Sequence, residues 1–191
     1  MVTRKEQAER SRSRLVTIAR ELFVEQGYAA TSVSQILERA DMARGAFYHH
    51  FPDGKQSLFV AVVDEVDHQL HHGFEDIVAN VKSPIEQILA GIDLVLQLAT
   101  DRDFGRIILI EAATVMPGAW VEGSEYQLLR HNLSQSMTLG EVQQLPLDAT
   151  AATIYGAARR SADYVARSTD PEQSANEART VLRAIIEGLR P

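Results

Sequence analysis

The apolar residues of this chain recur at three- and four-residue spacing almost from end to end, the period of helices that each turn one face to a core. No stretch sustains the two-residue alternation and β-branched enrichment of a half-buried strand, so the pattern predicts an all-α protein. Between Arg12 and Gln26, the positions Leu15, Ile18, Ala19, Leu22 and Phe23 share a face, and Gly27 supplies the stop. Thr31 and Ser32 are good N-caps for a short helix that turns Val33, Ile36, Leu37 and Ala40 inward. A three-residue turn, Asp41-Met42-Ala43, leads to a second short helix from Arg44 to His50, which presents Phe47 and Phe51 to the same core. Pro52-Asp53-Gly54 then breaks the chain.

A long helix follows from Lys55 to Asn80, with Leu58, Phe59, Val62, Val63, Val66, Leu70, Phe74, Ile77 and Val78 inward. At about 1.5 Å per residue it spans roughly 39 Å, enough to run from a small head into a larger body. Further helices are predicted from Ser83-Pro84 to Thr100, from Asp103 to Val115 with a stop at Pro117-Gly118, and from Ala119 to Met137. Two more, Leu147 to Arg167 and Pro171 to Leu189, close the chain. The total is about nine helices, three in a head over residues 1–57 and six in a body over 58–191.

Charge sharpens this division. The net charge is −7, yet residues 1–60 carry nine Lys/Arg against seven Asp/Glu, leaving the remainder at −9. A basic head on an acidic body suits a protein that meets phosphate with one end, although a solvated charged tail would read the same way. There is no cysteine, so disulfides and thiolate metal sites are excluded. The polar stretch Met1 to Gln7 has no secretory apolar core, and the longest apolar runs are far too short to span a bilayer. The expectation is a cytoplasmic protein with no membrane partner and no cofactor.

Two short helices joined by a tight turn make the reading unit of helix-turn-helix proteins, because a helix fits the major groove. A plain three-helix bundle shares that spacing. With Phe47 and Phe51 inward, Arg44, Gly45, Tyr48 and His49 face outward: Arg can pair bidentately with guanine, Gly45 permits close approach, and Tyr and His can donate to phosphate or base edges. Thr31, Ser32 and Ser34 put hydroxyls and unpaired N–H groups at a helix start, a seat for phosphate, and Lys55 is expected to be a further phosphate contact. Arg10, Arg12 and Arg14 would assist as a basic arm at phosphate or in the minor groove.

The wording from Ala40 to Leu58, ADMARGAFYHHFPDGKQSL, with the lead-in Ala19-Arg20-Glu21-Leu22-Phe23, Gly27-Tyr28 and Thr31-Ser32-Val33, closely resembles the TetR (tetracycline-repressor-like) family over about residues 11–60. Asp41 stands where the family usually has Gly, but Asp tolerates positive φ. The step from Phe51 to Lys55 is one residue longer than the commonest form. The resemblance implies three DNA-binding helices, a divergent regulatory domain, and a homodimer built through the last two helices. It also implies binding to a pseudo-palindromic double-stranded DNA operator and repression relieved by a small-molecule effector. The helix from Leu147 is rich in small residues and the last one carries an apolar stripe, so Tyr155, Ala158, Ala162, Val181, Leu182, Ile185 and Leu189 are the expected dimer contacts. An intramolecular bundle would use the same residues.

For the effector cavity, His71, Phe104, Met116, Trp120 and Tyr126 are the candidates, each of which could equally be plain core. His68 and His72, four apart with Glu65 and Glu75 nearby, have a spacing able to hold a divalent metal, but exposed helical His and Glu are common. Asp64, Asp67 and Asp76 are expected to join them on a polar face, and no metal site is assigned. No nucleophile elbow, phosphate-binding glycine loop or cysteine nucleophile is present, which argues against an enzyme. A helical adaptor that has lost DNA binding is the third class.

Overall fold

A computed structural model describes residues 3–116 and 123–191. The described residues form nine helices and no strands: α1 (Arg4–Gln26), α2 (Val33–Ala40), α3 (Arg44–His50), α4 (Lys55–Asn80), α5 (Pro84–Leu98), α6 (102–115), α7 (Ser124–Thr138), α8 (Leu147–Ala166) and α9 (Pro171–Glu187). The all-α expectation is met, and most boundaries fall within a few residues of those expected from the periodicity. The expected start of α7 at Ala119, together with its stop signal at Pro117-Gly118, lies outside the described residues.

α1 begins eight residues before the expected Arg12. Thr3 and Glu6 form a reciprocal capping box, Thr3 Oγ1 accepting from the Glu6 N–H while Glu6 accepts from the Thr3 N–H. The basic arm is therefore a helix. Arg10 and Arg14 are exposed on it, and the Arg12 guanidinium lies 5.3 Å from the centre of the Phe51 ring.

The head packs α1, α2, α3 and the first turns of α4 around Leu15, Phe23, Ile36, Phe47, Phe51 and Phe59. α4 then continues into the body, where α5, α7, α8 and α9 stack in contact with one another. The division expected at residue 57 falls inside α4, and the buried apolar side chains form one cluster running from Leu15 to Ile186. α4 and α5 approach closely because each offers a glycine to the other: a Cβ on Gly73 would meet the Leu94 methyls, and one on Gly91 would meet the Phe74 ring. Arg179, 3.0 Å from Asp93, and Arg183 on the same carboxylate fix α9 to α5. Val78, expected inward near the end of α4, is about half exposed, facing a cleft between that turn and the start of α7.

α6 lies between head and body, against α1 and α4 on one side and α8 on the other. Its central turns, Gly105–Glu111, are a π-helix, a wider winding that brings Arg106 and Glu111 into an ion pair at 2.8 Å. That pair sits over Gly27, the residue that ends α1 with φ of 86°.

Candidate nucleic-acid interface and effector cavity

Position in the head is set by caps and by an aromatic lock. Ser32 caps α2 in a second reciprocal box with Gln35, and Asp41 ends that helix in the left-handed conformation expected for it, φ 48°. Phe23, Tyr28 and Phe59 pack with ring centres 4.9 to 5.5 Å apart, and Phe47 meets Phe51 at 5.7 Å. With Phe47 fully buried, α3 turns Arg44, Gly45, Tyr48 and His49 to solvent as the spacing predicts. The Arg44 guanidinium stands 5.8 Å from the Tyr48 ring centre, and nothing lies within 4 Å of where a Gly45 Cβ would be. Behind this face, burial lowers the His50 pKa, with the neighbouring His49 and Arg12 acting in the same direction.

Two expected phosphate contacts are engaged elsewhere. Thr31 is buried, donating its hydroxyl to the Gly27 carbonyl at 2.8 Å and accepting from Gln26 Nε2 at 3.2 Å. Lys55 Nζ donates to the Tyr28 and Thr31 carbonyls, both at 2.8 Å, and lies 4.1 Å from the centre of the Tyr28 ring. Burial lowers its pKa. Both residues brace the turn between α1 and α2 from inside. The exposed Ser32 and Ser34 remain at the start of α2.

The body encloses a cavity of about 100 Å³ bordered by α4, α5, α6, α7 and α8. Its walls are mainly apolar, and its polar features are few. Asn132 donates to Gln87 Oε1 at 3.0 Å, and Glu125, Tyr155 and Arg159 stand at one side. Of the expected cavity residues that are described, only Phe104 lines this chamber; His71 lines a neighbouring cleft instead. Tyr126 packs edge-on against Tyr155 at 5.4 Å, Met116 is half-buried against the general core, and Trp120 lies outside the described residues. Sequence reasoning missed Gln87, Asn132 and Arg159, for which a polar residue on an otherwise apolar helix face is the available signal.

The expected dimer contacts also divide. Tyr155, Ala158 and Ala162 line the chamber, where the small alanines leave room. Leu182 is buried against the body and Leu189 is packed on the core. Val181 and Ile185 alone of that set are on the outside, 60% and 41% exposed. The outer face of α8 carries Ala149, Ala152 and Gly156, which the same small-residue pattern also contained.

The carboxylate of Asp67 is the least expected feature. Instead of joining the polar face of α4 it is only 9% exposed, with Oδ2 3.3 Å from His71 Nδ1 and Oδ1 buried without a hydrogen-bond partner. Desolvation pushes its pKa up to about 6; His71 opposes this, while Glu125 and Asp64 add to it. Since the folded value lies above the unfolded one, the protonated group favours the fold. That benefit is complete below about pH 4 and is lost as pH rises through about 6. Asp67→Asn is therefore expected to add up to about 2 kcal/mol of stability near pH 7.5 and little near pH 4, read by urea unfolding at both. Parallel pH profiles for wild type and variant would contradict it. His68 and His72 pair on the surface, Nε2 to Nε2 at 3.0 Å, and no group of three ligating side chains occurs among the described residues.

Residues 15–62 match the family of bacterial regulatory proteins named for tetR, and residues 85–189 match a tetracyclin repressor-like C-terminal domain. The chain belongs to the TetR family. A crystal structure of a TetR-family regulator from Pectobacterium atrosepticum superposes with a TM-score of 0.76 at 26% identity, covering 98% of this chain and 97% of that one. A γ-butyrolactone receptor shares the fold at 23% identity, with a TM-score of 0.62 over 95% and 98% of the two chains. The HTH-type transcriptional regulator LmrA of Bacillus subtilis is 32% identical over 80 residues, 42% of this chain and 43% of its own length. The chain thus aligns with less than half the length of that relative. No helix among the described residues of this TetR-family protein is long and apolar enough to cross a membrane.

Proposed function

We propose that this TetR-family regulator is a dimeric, cytoplasmic transcriptional repressor that holds a pseudo-palindromic operator and releases it when a small molecule fills the body cavity. The observation that carries the reading is the continuity of α4. Its first residue, Lys55, braces the turn that positions α2 and α3, while Leu70 and Phe74, four and five turns on, line the chamber. A ligand that fits the chamber in only one arrangement of α4 thereby biases where the two heads stand. In the operator complex α3 enters the major groove with Arg44, Gly45, Tyr48 and His49, and the start of α2 seats a phosphate through Ser32 and Ser34. The head over residues 1–57 acts as the DNA-binding unit and the remainder as the regulatory and dimerising unit.

Gel-shift against the protein's own upstream region tests this directly. Wild type binds a specific fragment, and Arg44→Ala weakens that binding by about 1–3 kcal/mol while relaxing preference at one base position. An equal loss on every sequence makes Arg44 a phosphate contact. Failure to bind any duplex at low salt would sink the operator reading in favour of a helical adaptor.

A further inference from the structure

One wall of the chamber carries a hydrogen-bond relay whose direction is fixed. The Val81 carbonyl, in the link between α4 and α5, can only accept, and it takes a hydrogen bond from Gln87 Nε2 at 2.8 Å. That sets the Gln87 amide with Oε1 turned to Asn132 of α7, so Asn132 must offer Nδ2, at 3.0 Å. The Asn132 oxygen is left over. Among the described residues no group donates to Oδ1, although Asn132 is only 5% exposed and lines the chamber. Ser136 Oγ, one turn further along α7, is also without a partner but is wholly enclosed, beyond the reach of any ligand. Asn132 Oδ1 is not enclosed in that way, and the chamber is the void that Asn132 borders. A buried amide oxygen without a donor is costly, and a ligand hydroxyl would supply what is missing.

We propose that the chamber takes a small neutral molecule, a single apolar ring bearing a hydroxyl that donates to Asn132 Oδ1. This rests on the reading of the chamber as the effector site. Neutrality follows from the charges already in place. Glu125 and Arg159 both border the chamber and offset each other. Each is also engaged: Glu125 Oε1 accepts from Ser124 Oγ at 3.1 Å, and Arg159 hydrogen-bonds Tyr155. A charged ligand would shed its water among apolar walls and gain only a neutral amide in return. Size follows from the volume. Apolar cavities of about 150 Å³ hold benzene, so about 100 Å³ leaves room for one ring at most beside Asn132. The body of that ring has its apolar seat next to the relay. Gly91 lies one turn from Gln87 on α5, Leu128 and Leu129 lie one turn from Asn132 on α7, and all three border the chamber.

Calorimetric titration of the full chain near pH 7.5 with five one-ring probes tests the proposal: toluene, phenol, benzonitrile, benzylammonium and benzoate. Toluene asks nothing of the polar wall and reports whether the chamber fills at all. Phenol binds about tenfold tighter than benzonitrile, a neutral probe that can only accept, and both charged probes bind more weakly than phenol. In Asn132→Leu, which keeps the side-chain shape, the advantage of phenol over benzonitrile disappears while toluene binding holds or improves. Should that variant fail to fold, Gln87→Met combined with Asn132→Leu removes both amides together and carries the same comparison. Four results overturn the hydroxyl assignment and leave the chamber reading standing: binding of toluene alone, benzonitrile binding as tightly as phenol, a phenol advantage that survives the loss of Asn132, or tighter binding of either charged probe. Binding of none of the five overturns both.

Discussion

Ile185→Glu is expected to yield a folded monomer that no longer holds the operator. Ile185 and Val181 lie one turn apart on the outer side of α9, while the inner side of the same helix is occupied by Ala178, Leu182 and Ile186. Beside them the outer face of α8 offers Ala149, Ala152 and Gly156, and nothing lies within 4 Å of a Gly156 Cβ. An exposed apolar stripe next to bare backbone is the surface on which a second pair of helices can lie close. About a two-fold axis every contact occurs twice, so one substitution buries two carboxylates without partners. Within the single chain, Ile185 is a surface position, and the cost there is small, within about 0.5 kcal/mol. Circular dichroism and the unfolding midpoint of the monomer should therefore stay near wild type. Sedimentation should show half the mass, and operator affinity should drop on the order of 100-fold or more, because one head then binds without the effective concentration supplied by its tether to the other. A wild-type monomer at micromolar concentration, or a variant that stays dimeric, would refute the interface.

Lys55→Met should remove about 1–3 kcal/mol from the stability of the protein. The methionine keeps the aliphatic stem but deletes the ammonium that joins the Tyr28 and Thr31 carbonyls, leaving the Thr31 carbonyl unpaired and the Tyr28 carbonyl with only the 3.3 Å bond from the Thr31 N–H. Thr31, whose own hydroxyl holds Gly27, loses its anchor at the same point. Operator binding should weaken evenly over all sequences, because α2 and α3 lose their register on α4 together. A lysine that merely touched phosphate would behave otherwise: stability unchanged, and a salt dependence shallower by about one ion. Chemical unfolding and a salt titration of operator binding separate the two.

Lys55 also shows where sequence reading stops. A lysine at the start of a helix, near a turn, has the same spacing whether a phosphate or two carbonyls receive its protons, and only the tertiary fold brings Tyr28 within reach. The small residues of α8 present the same difficulty. Alanine and glycine occur on both faces of the helix, so periodicity cannot say that Ala158 and Ala162 border a chamber while Ala152 and Gly156 look out. The first turns of α1 carry no apolar stripe to reveal them, although Thr3 and Glu6 spell the capping box that starts the helix. Asp67 was misplaced for a related reason: charge predicts solvent, and only the tertiary fold buries its carboxylate beside His71, near Glu125 of α7 and Tyr155 of α8. By contrast, the outward set on α3 was legible because Phe47 and Phe51 leave that short helix one way to pack. Asp41 was legible because so few residues tolerate its backbone conformation.

The π-helical turns of α6 put one helix in contact with both the chamber and the end of α1. Phe104, Ile108 and Leu109 are part of the chamber wall, while Arg106 and Glu111 on the same turns bear on Gly27 at the end of α1. A Cβ placed on Gly27 would stand 2.6 Å from Arg106 Nη2 and 2.8 Å from Glu111 Oε1, so any larger residue there must displace the ends of both side chains. The φ of 86° adds backbone strain to any such replacement. Glycine at the foot of α1 is thus what lets the ion pair of a chamber-wall helix rest directly on the backbone of the head.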